Sequence, residues 1–520
     1  MLGRHPEGSE YLASEAGLST LLSIATSLKE KDLNAFSEAL KCIANAMLLF
    51  ENGRSALISE EVKGGEICVR LLKDATTSDE IFIISRILFF ATVSPSPFII
   101  QLVEEEHEGQ SISDIVSAKM EVALAKFLKN TKATMGQEAI ADLLKFSFNL
   151  LLRYPKMVDC EPQSSAIPEF SSDETKIMGD FWSPKLDGFL SPILKLYLSL
   201  PPPGTEPTPL QAPLTSAIHA LITIPVNDSL RSQWFKTTAE GQTDVVEHTK
   251  TLLSKTLKYY FPGQESPDAE SIRAFAKSKH PQDALDDDLP ALDNVLAPLI
   301  ILATRLCIGD ASARSRICSF MVPDDLDRDP ARPLDERAST LGRCLRLMGS
   351  VYFRRLKECV GEMLWAMCGQ DAGELCSKVG YGHVAGFLFE KGVTSAPAPP
   401  DASDASASST TTATISEVRD VEDPDVDGGG GGGTDENPNR VGEGETEMTF
   451  AGPSETRQIN PITGTYVPEN RSNPMDDMDE EEKEREMEKL FVLFDRMEKI
   501  GALSPDQNPV RKAMQKSMQG

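Results

Sequence analysis

The sequence predicts an all-α protein built as an α-solenoid, followed by a linker and one further amphipathic helix. Three observations lead there. Apolar residues recur at i, i+3, i+4 and i+7 through most of the first 395 residues, with no convincing alternating strand. Several of these stretches are apolar around most of their circumference, so they must pack on two sides. One helix type also recurs: Leu40-Lys41-x-x-x-Asn45-x-x-Leu48 returns as Leu144-Lys145-x-x-x-Asn149-x-x-Leu152. Stacked layers of short helices account for all three, a plain helical bundle being the structural alternative.

Taken in order, the expected helices are LSTLLSIATSL (18–28), FSEALKCIANAMLLF (36–50), IFIISRILFFATV (81–93), AIADLLKFSFNLLLRY (139–154) and SPILKLYLSL (191–200). LDNVLAPLIILATRLC (292–307), TLGRCLRLMGSVYFRRLKECVGEMLWAMC (340–368) and HVAGFLFEKG (383–392) complete the set. Residues 155–188, 201–214 and 262–290 read as loops, because Gly, Pro and Asp punctuate them. The solenoid is placed at 1–395. Residues 396–456, with their Ser/Thr/Pro tract and the run Gly428 to Gly433, lack the apolar residues for a core and are expected to be a disordered linker. A C-terminal segment follows at 457–503, with a helix at about 479–500, and then a tail at 504–520. Acidic residues from Asp476 to Glu482 suit a helix start, and Met487, Leu490, Phe491, Phe494 and Met497 form an apolar stripe. Such a stripe must be buried against something. Its acidic polar face argues against a membrane surface.

The chain has 520 residues, a formal charge of −28 and a pI near 4.7. No basic footprint for nucleic acid is present. The charge is uneven: residues 401–520 hold 12 basic against 27 acidic residues, hence −15 in under a quarter of the chain. Nine cysteines occur without a CxxC pair, which points to reduced buried thiols rather than disulfides or zinc. The N-terminus has no apolar signal region, and PLIILATRLC (298–307) falls short of the ~18 apolar residues of a membrane span. A soluble, cytoplasmic protein is expected. Enzyme readings find little support. Glu104 to Glu108 lack HExxH spacing, the glycine run is followed by no Lys-Ser/Thr, and GYGHVAG is not preceded by a strand.

Two Asn-Pro pairs, Asn460-Pro461 and Asn473-Pro474, fix turn or extended geometry beyond the linker. INPITG (459–464), then Asn473-Pro474-Met475, an acidic helix start and KLFVLFDRM, resemble the C-terminal signature of the synembryn family. ALKCIANAMLL (39–49), SRILFFAT (85–92), LLKFSFNLLL (143–152), LATRLC (302–307) and GYGHVAGFLFEKG (380–392) resemble helices of the same family, here of a fungal type. Family members carry more sequence before residues 39–49, so a shortened N-terminus is expected.

The resemblance implies an armadillo/HEAT-like superhelix. It also implies guanine nucleotide exchange and folding chaperoning of heterotrimeric G-protein α subunits (Gα), GDP-bound or nucleotide-free. The Gα C-terminal helix would lie in a concave groove. Lys41, Asn45, Arg86, Lys145, Asn149 and Arg305 are the polar groups expected on that groove. Basic groups suit the carboxylate end of a captured helix, and an Asn amide suits a bound backbone. Ile459, Asn460, Pro461, Gly464, Asn473, Pro474, Leu490, Phe491, Phe494 and Met497 are expected to form a second arm on the partner, the competing reading being a tail packed on the solenoid itself. No catalytic group, metal, cofactor, nucleic acid or integral membrane segment is implied. The protein would act as a monomer, recruited to the plasma membrane through Gα. The alternative is an armadillo-type adaptor that binds peptides without driving exchange.

Overall fold

The computed structural model describes residues 5–7, 9–129, 134–158, 182–200, 210–236, 243–279, 291–393, 459–460 and 462–466. Nineteen α-helices and three short 3-10 turns make up the regular structure of these residues. The helices are α1 (Glu15–Leu28), α2 (Leu33–Leu49), α3 (Glu51–Leu57), α4 (Gly64–Asp74), α5 (Ser78–Ala91), α6 (Pro97–Glu104), α7 (Ile112–Lys129), α8 (Thr134–Met157), α9 (Leu190–Ser199) and α10 (Leu214–Leu221). They continue as α11 (Arg231–Trp234), α12 (Val245–Tyr260), α13 (Glu270–Lys279), α14 (Ala291–Gly309), α15 (Ala311–Met321), α16 (Thr340–Met348), α17 (Arg354–Met367), α18 (Ala372–Val379) and α19 (Tyr381–Glu390). The chain divides into two compact units, Met1–Thr465 and Tyr466–Gly520.

Two rows of helices organise the first unit. One row is α1, α4, α7, α9, α12 and α16; the other is α2, α5, α8, α10, α14 and α17. Each helix packs on the next in its own row and on its partner in the opposite row. Short third helices complete several layers: α3 against α1 and α2, α6 against α7 and α8, and α15 against α14 and α17. The arrangement is an all-α solenoid, with layers of two or three helices of the armadillo and HEAT type. The first three layers begin 49 and 48 residues apart, at Glu15, Gly64 and Ile112. The recurring Lys-Asn pairs therefore sit on one row, two layers apart, on α2 and α8.

Local chemistry sets the helix starts. Ser14, Asp32, Asp244, Asp310, Ser339 and Asp371 each accept from a backbone N–H in the first turn of the helix that follows. Thr77 and Glu80 form a capping box at α5. Packing does the rest. Sixteen-residue α12 buries Val245, Val246, Leu252, Leu253 and Leu257 against both neighbouring layers. One apolar cluster runs without a break from Leu18 on α1 to Leu388 on α19. Gly361 on α17 lets Phe387 of α19 close against the helix, since a Cβ there would meet the ring at 2.5 Å.

Three points depart from the expectations. The stretch 262–290, read as a loop, contains α13; Ile272, Phe275 and Ala276 supply a single apolar edge, and Phe275 meets Tyr259 at 5.4 Å. That edge is too narrow to stand out beside the flanking Pro and Asp residues. Helix α8 runs on through Pro155 to Met157. Window Leu292–Gly309 of α14 is, by length and composition, apolar enough to cross a membrane. It is packed by α10, α12, α15 and α17, and Leu296, Ala297, Leu299, Ile300 and Leu302 are fully buried. The expected linker at 396–456, the helix at 479–500 and the tail at 504–520 lie outside the described residues.

The irregular crossing from α15 to α16 is held by guanidinium groups on backbone carbonyls. Arg343 donates to Phe261 O at 2.7 Å and to Ala338 O at 2.6 Å. Arg346 donates to Asp335 O, to Arg337 O at 3.1 Å and to Gly263 O at 2.9 Å. Several fixed donors on one rigid fork give loop carbonyls the partners that a helix or sheet would otherwise supply.

Two buried titratable groups predict opposite pH responses. Asp293, fully buried on α14, accepts from Arg355 N at 3.3 Å through one oxygen, while its other oxygen has no hydrogen-bond partner. Burial pushes its carboxyl up to about 6, despite the Arg355 charge and backbone N–H groups that work the other way. His248 on α12, stacked edge-on to Tyr197 at 4.6 Å, is pushed down to about 4 by burial and by the Lys255 charge. A raised carboxyl opposes folding once charged, so that opposition fades as pH falls towards 4; a depressed imidazole withdraws stability as pH falls from about 6.5 to 4. The two therefore offset each other in the native chain. Asp293→Asn should raise unfolding free energy at pH 7.5 by about 2 kcal/mol and give a steeper loss than wild type between pH 6.5 and 4. Urea unfolding across that range measures both; no gain at pH 7.5 would contradict a charged, ill-solvated Asp293.

Candidate partner-binding site

The row α2–α5–α8 carries the predicted polar groups. Helical spacing places Lys41 and Asn45 one turn apart on α2, facing Phe82 and Arg86 on α5. Together with Ala44, Leu48, Leu49 and Ile83 they line an open depression of about 460 Å³. Its lining combines apolar side chains with two cations and an amide. Leu48 is 58% exposed beside it, unusual for a leucine of this size in an otherwise packed helix.

Arg86 is held from two sides. Its guanidinium lies over the Phe82 ring, 4.3 Å from the centroid, and its Nε donates to Asp142 Oδ2 at 2.8 Å. The second oxygen of Asp142 accepts from Lys145 Nζ at 3.0 Å, and that ammonium stands 5.9 Å from the Phe89 ring. Asp142 itself is 2% exposed. One buried carboxylate thus orients two half-exposed cations across adjacent helices, and the group keeps a net charge of +1. Lys41 pairs with Glu38 on its own helix at 2.8 Å, in an exposed contact of little energetic weight.

Asn149 and Arg305 lie differently. Asn149 is buried, and its amide donates to Phe89 O at 3.0 Å and to Thr92 Oγ1 at 3.1 Å, closing the C-terminal turn of α5. Arg305 on α14 donates to Ile224 O at 3.3 Å, just beyond α10. Of the six groups, the structure brings Lys41, Asn45 and Arg86 around one depression, joins Lys145 to them through Asp142, and sets Asn149 and Arg305 on the backbone of neighbouring layers. Sequence reasoning missed Asp142, Phe82 and Phe89. An acid three residues before Lys145, on the same side of α8, is the signal that marks Asp142.

From the C-terminal signature, Ile459, Asn460 and Gly464 are described; Pro461, Asn473, Pro474, Leu490, Phe491, Phe494 and Met497 lie outside the described residues. Residues 459–460 and 462–465 form a tight turn. Asn460 N donates to Thr465 O at 2.7 Å, Gly464 N to Asn460 O at 2.8 Å, and Ile462 N to the Asn460 side chain at 2.9 Å. That turn sits on the corner between α18 and α19, where Gly382 N donates to Ile462 O at 2.8 Å. The Arg328 guanidinium donates to Gly464 O. His383 at the same corner is held below its usual pKa by burial, with Asp335 and a bond to the Thr463 backbone pulling the other way.

Asp142→Ala should lower unfolding free energy by about 2 kcal/mol, because it removes a buried charge-assisted pair of bonds. Arg86→Ala should cost less than about 1 kcal/mol, since its head group is part-exposed. Urea unfolding measures both; equal costs would show that the carboxylate is no hub.

The profile of the family described as "Guanine nucleotide exchange factor synembryn" matches residues 1–518 of this chain. Among curated relatives, "Chaperone Ric-8" of Drosophila pseudoobscura pseudoobscura is 25% identical over 213 residues, which is 41% of this chain and 30% of the relative. "Chaperone Ric-8A" of Xenopus tropicalis is 28% identical over 218 residues, 41% of this chain and 32% of the relative. These matches therefore span about a third of the length of the relatives. A solved engineered protein overlaps 72% of this chain and 92% of its own at 13% identity, but with a TM-score of 0.22 that overlap carries no argument. The family profile, running over residues 1–518 of the 520, settles the assignment: the chain belongs to the family of the guanine nucleotide exchange factor synembryn.

Proposed function

We propose that this protein is an exchange factor and folding chaperone for Gα subunits, and that it works by binding, with no chemical active site. The observation that carries the reading is the α2–α5–α8 face, where Asp142 fixes Arg86 and Lys145 beside an apolar depression edged by Asn45 and Lys41. A helix C-terminus presents unpaired carbonyls and, at a chain end, a carboxylate. Two cations held in place meet both without first losing side-chain freedom, while the depression accepts an apolar side chain.

Exchange then follows from differential binding. Drawing the C-terminal helix of Gα onto this face removes it from the Gα sheet, weakens the guanine pocket and releases GDP. To turn a 1:99 equilibrium between open and closed Gα into 99:1, the open state must be bound roughly 10⁴-fold more tightly, about 5.5 kcal/mol. The same preference for an open, nucleotide-free Gα serves a chaperone. The protein acts in this reading as a cytoplasmic monomer, drawn to the plasma membrane by its Gα partner.

Release of labelled GDP from loaded Gα tests the reading. Wild type should accelerate release and form a stable nucleotide-free complex; the absence of both would sink the reading, and tight capture of Gα C-terminal peptides without release would identify an adaptor. The double change Lys41→Glu and Asn45→Ala should slow release about tenfold, equivalent to roughly 1.4 kcal/mol. It should leave the unfolding midpoint unchanged, because the described bonds give Lys41 only its exposed contact with Glu38.

A further inference from the structure

The glycines at the α18–α19 corner and in the 459–465 turn are matched to one another. Gly380, at φ +86, caps α18, and a Cβ there would meet Gly464 N and Thr463 C at 2.5 Å. Gly464, at φ +69, lies as close in return: a Cβ on it would meet Val379 C at 2.7 Å and Gly380 N at 2.9 Å. A Cβ on Gly382 would stand 3.1 Å from Ile462 O, the oxygen that its own N–H bonds. Two backbones thus meet with nothing between them. Gly464 and Thr465 are buried in the contact, and Arg328, itself 7% exposed, closes it from the crossing before α16. By contrast the Ile462 side chain is 60% exposed. The turn's backbone is engaged; its apolar side chain points away.

We propose that residues 459–465 are an intramolecular anchor, in which Arg328, Gly380, Gly382, Asn460 and Gly464 fix the chain to the last corner of the solenoid. They act as positioning residues. Sixty-five residues, 394–458, separate Val393 from this turn. An anchored turn gives everything beyond residue 465 a fixed starting point on the solenoid. Any partner contact made downstream is then delivered from a fixed root. This consequence for exchange rests on the Gα reading above; the anchor itself does not.

Hydrogen exchange on the full chain tests it, with GDP release measured in parallel. In wild type the amide of Gly382 should exchange at least tenfold more slowly than an unstructured amide. Gly464→Ala and Arg328→Ala should each remove that protection while leaving the amides of α14 and α17 unchanged, which shows that the solenoid remains folded. Gly464→Asn separates the two demands on this residue, because Asn accepts positive φ but still brings a Cβ into Val379. It should lose protection as fully as alanine. Gly464→Ala and Arg328→Ala should each slow GDP release at least fivefold. A Gly382 amide already unprotected in wild type, or still protected in Gly464→Ala, overturns the anchor. Lost protection with GDP release unchanged overturns its positioning role. A wild type that never accelerates release sinks the exchange reading, and the exchange of Gly382 then decides the anchor alone.

Discussion

Helices that are apolar on more than one side set the terms for this protein. Helix α5 buries Ile81, Phe82, Ile83, Ile84, Ile87 and Leu88, residues that point around most of its circumference. No single partner covers such a helix, so it must lie between neighbours in its own row and a partner in the opposite row, as it does with α2, α8 and α4. Repeating that requirement layer by layer yields a solenoid rather than a closed bundle. The polar features then appear where a row has a surface left uncovered.

That surface is where the buried Asp142 acts. A carboxylate excluded from water is tolerated because two cations and their hydrogen bonds satisfy it. In satisfying it they lose their own freedom, and the Phe82 and Phe89 rings narrow it further. Such pre-organisation is what a surface needs if it is to prefer one conformation of a partner over another, since only differential contacts shift an equilibrium. The opposite solution serves at the crossing before α16, where Arg343 meets carbonyls alone and works as a structural tie.

The return of the chain at 459–465 shows a motif whose backbone is committed to its own solenoid. Asn460 bonds the turn internally, Gly464 supplies positive φ and close approach, and Gly380 and Gly382 clear the space that receives them. Residues some 80 positions apart thus depend on one another, and each glycine is explained only by the other. Read along the chain, INPITG and GYG are two unrelated turns.

Periodicity alone was enough to establish the helical class, nine of the nineteen described helices and their need to stack, because a 3.6-residue repeat of burial is a local property. It also placed Lys41 with Asn45, and Lys145 with Asn149, on one side of their helices, since positions four apart on a helix share a side. What it could not decide was which polar groups remain available. Asn149 has the same local spacing as Asn45, yet its amide is turned onto Phe89 O and Thr92 by the neighbouring layer. Arg305 is committed likewise to Ile224 O. Helix α13, with its single apolar edge, needed Tyr259 and Tyr260 to give it something to cover. Hydrogen-bond partners and burial come from residues distant in sequence, so the identity of a side chain was legible from the start, while its role was settled only once the layers had been brought together.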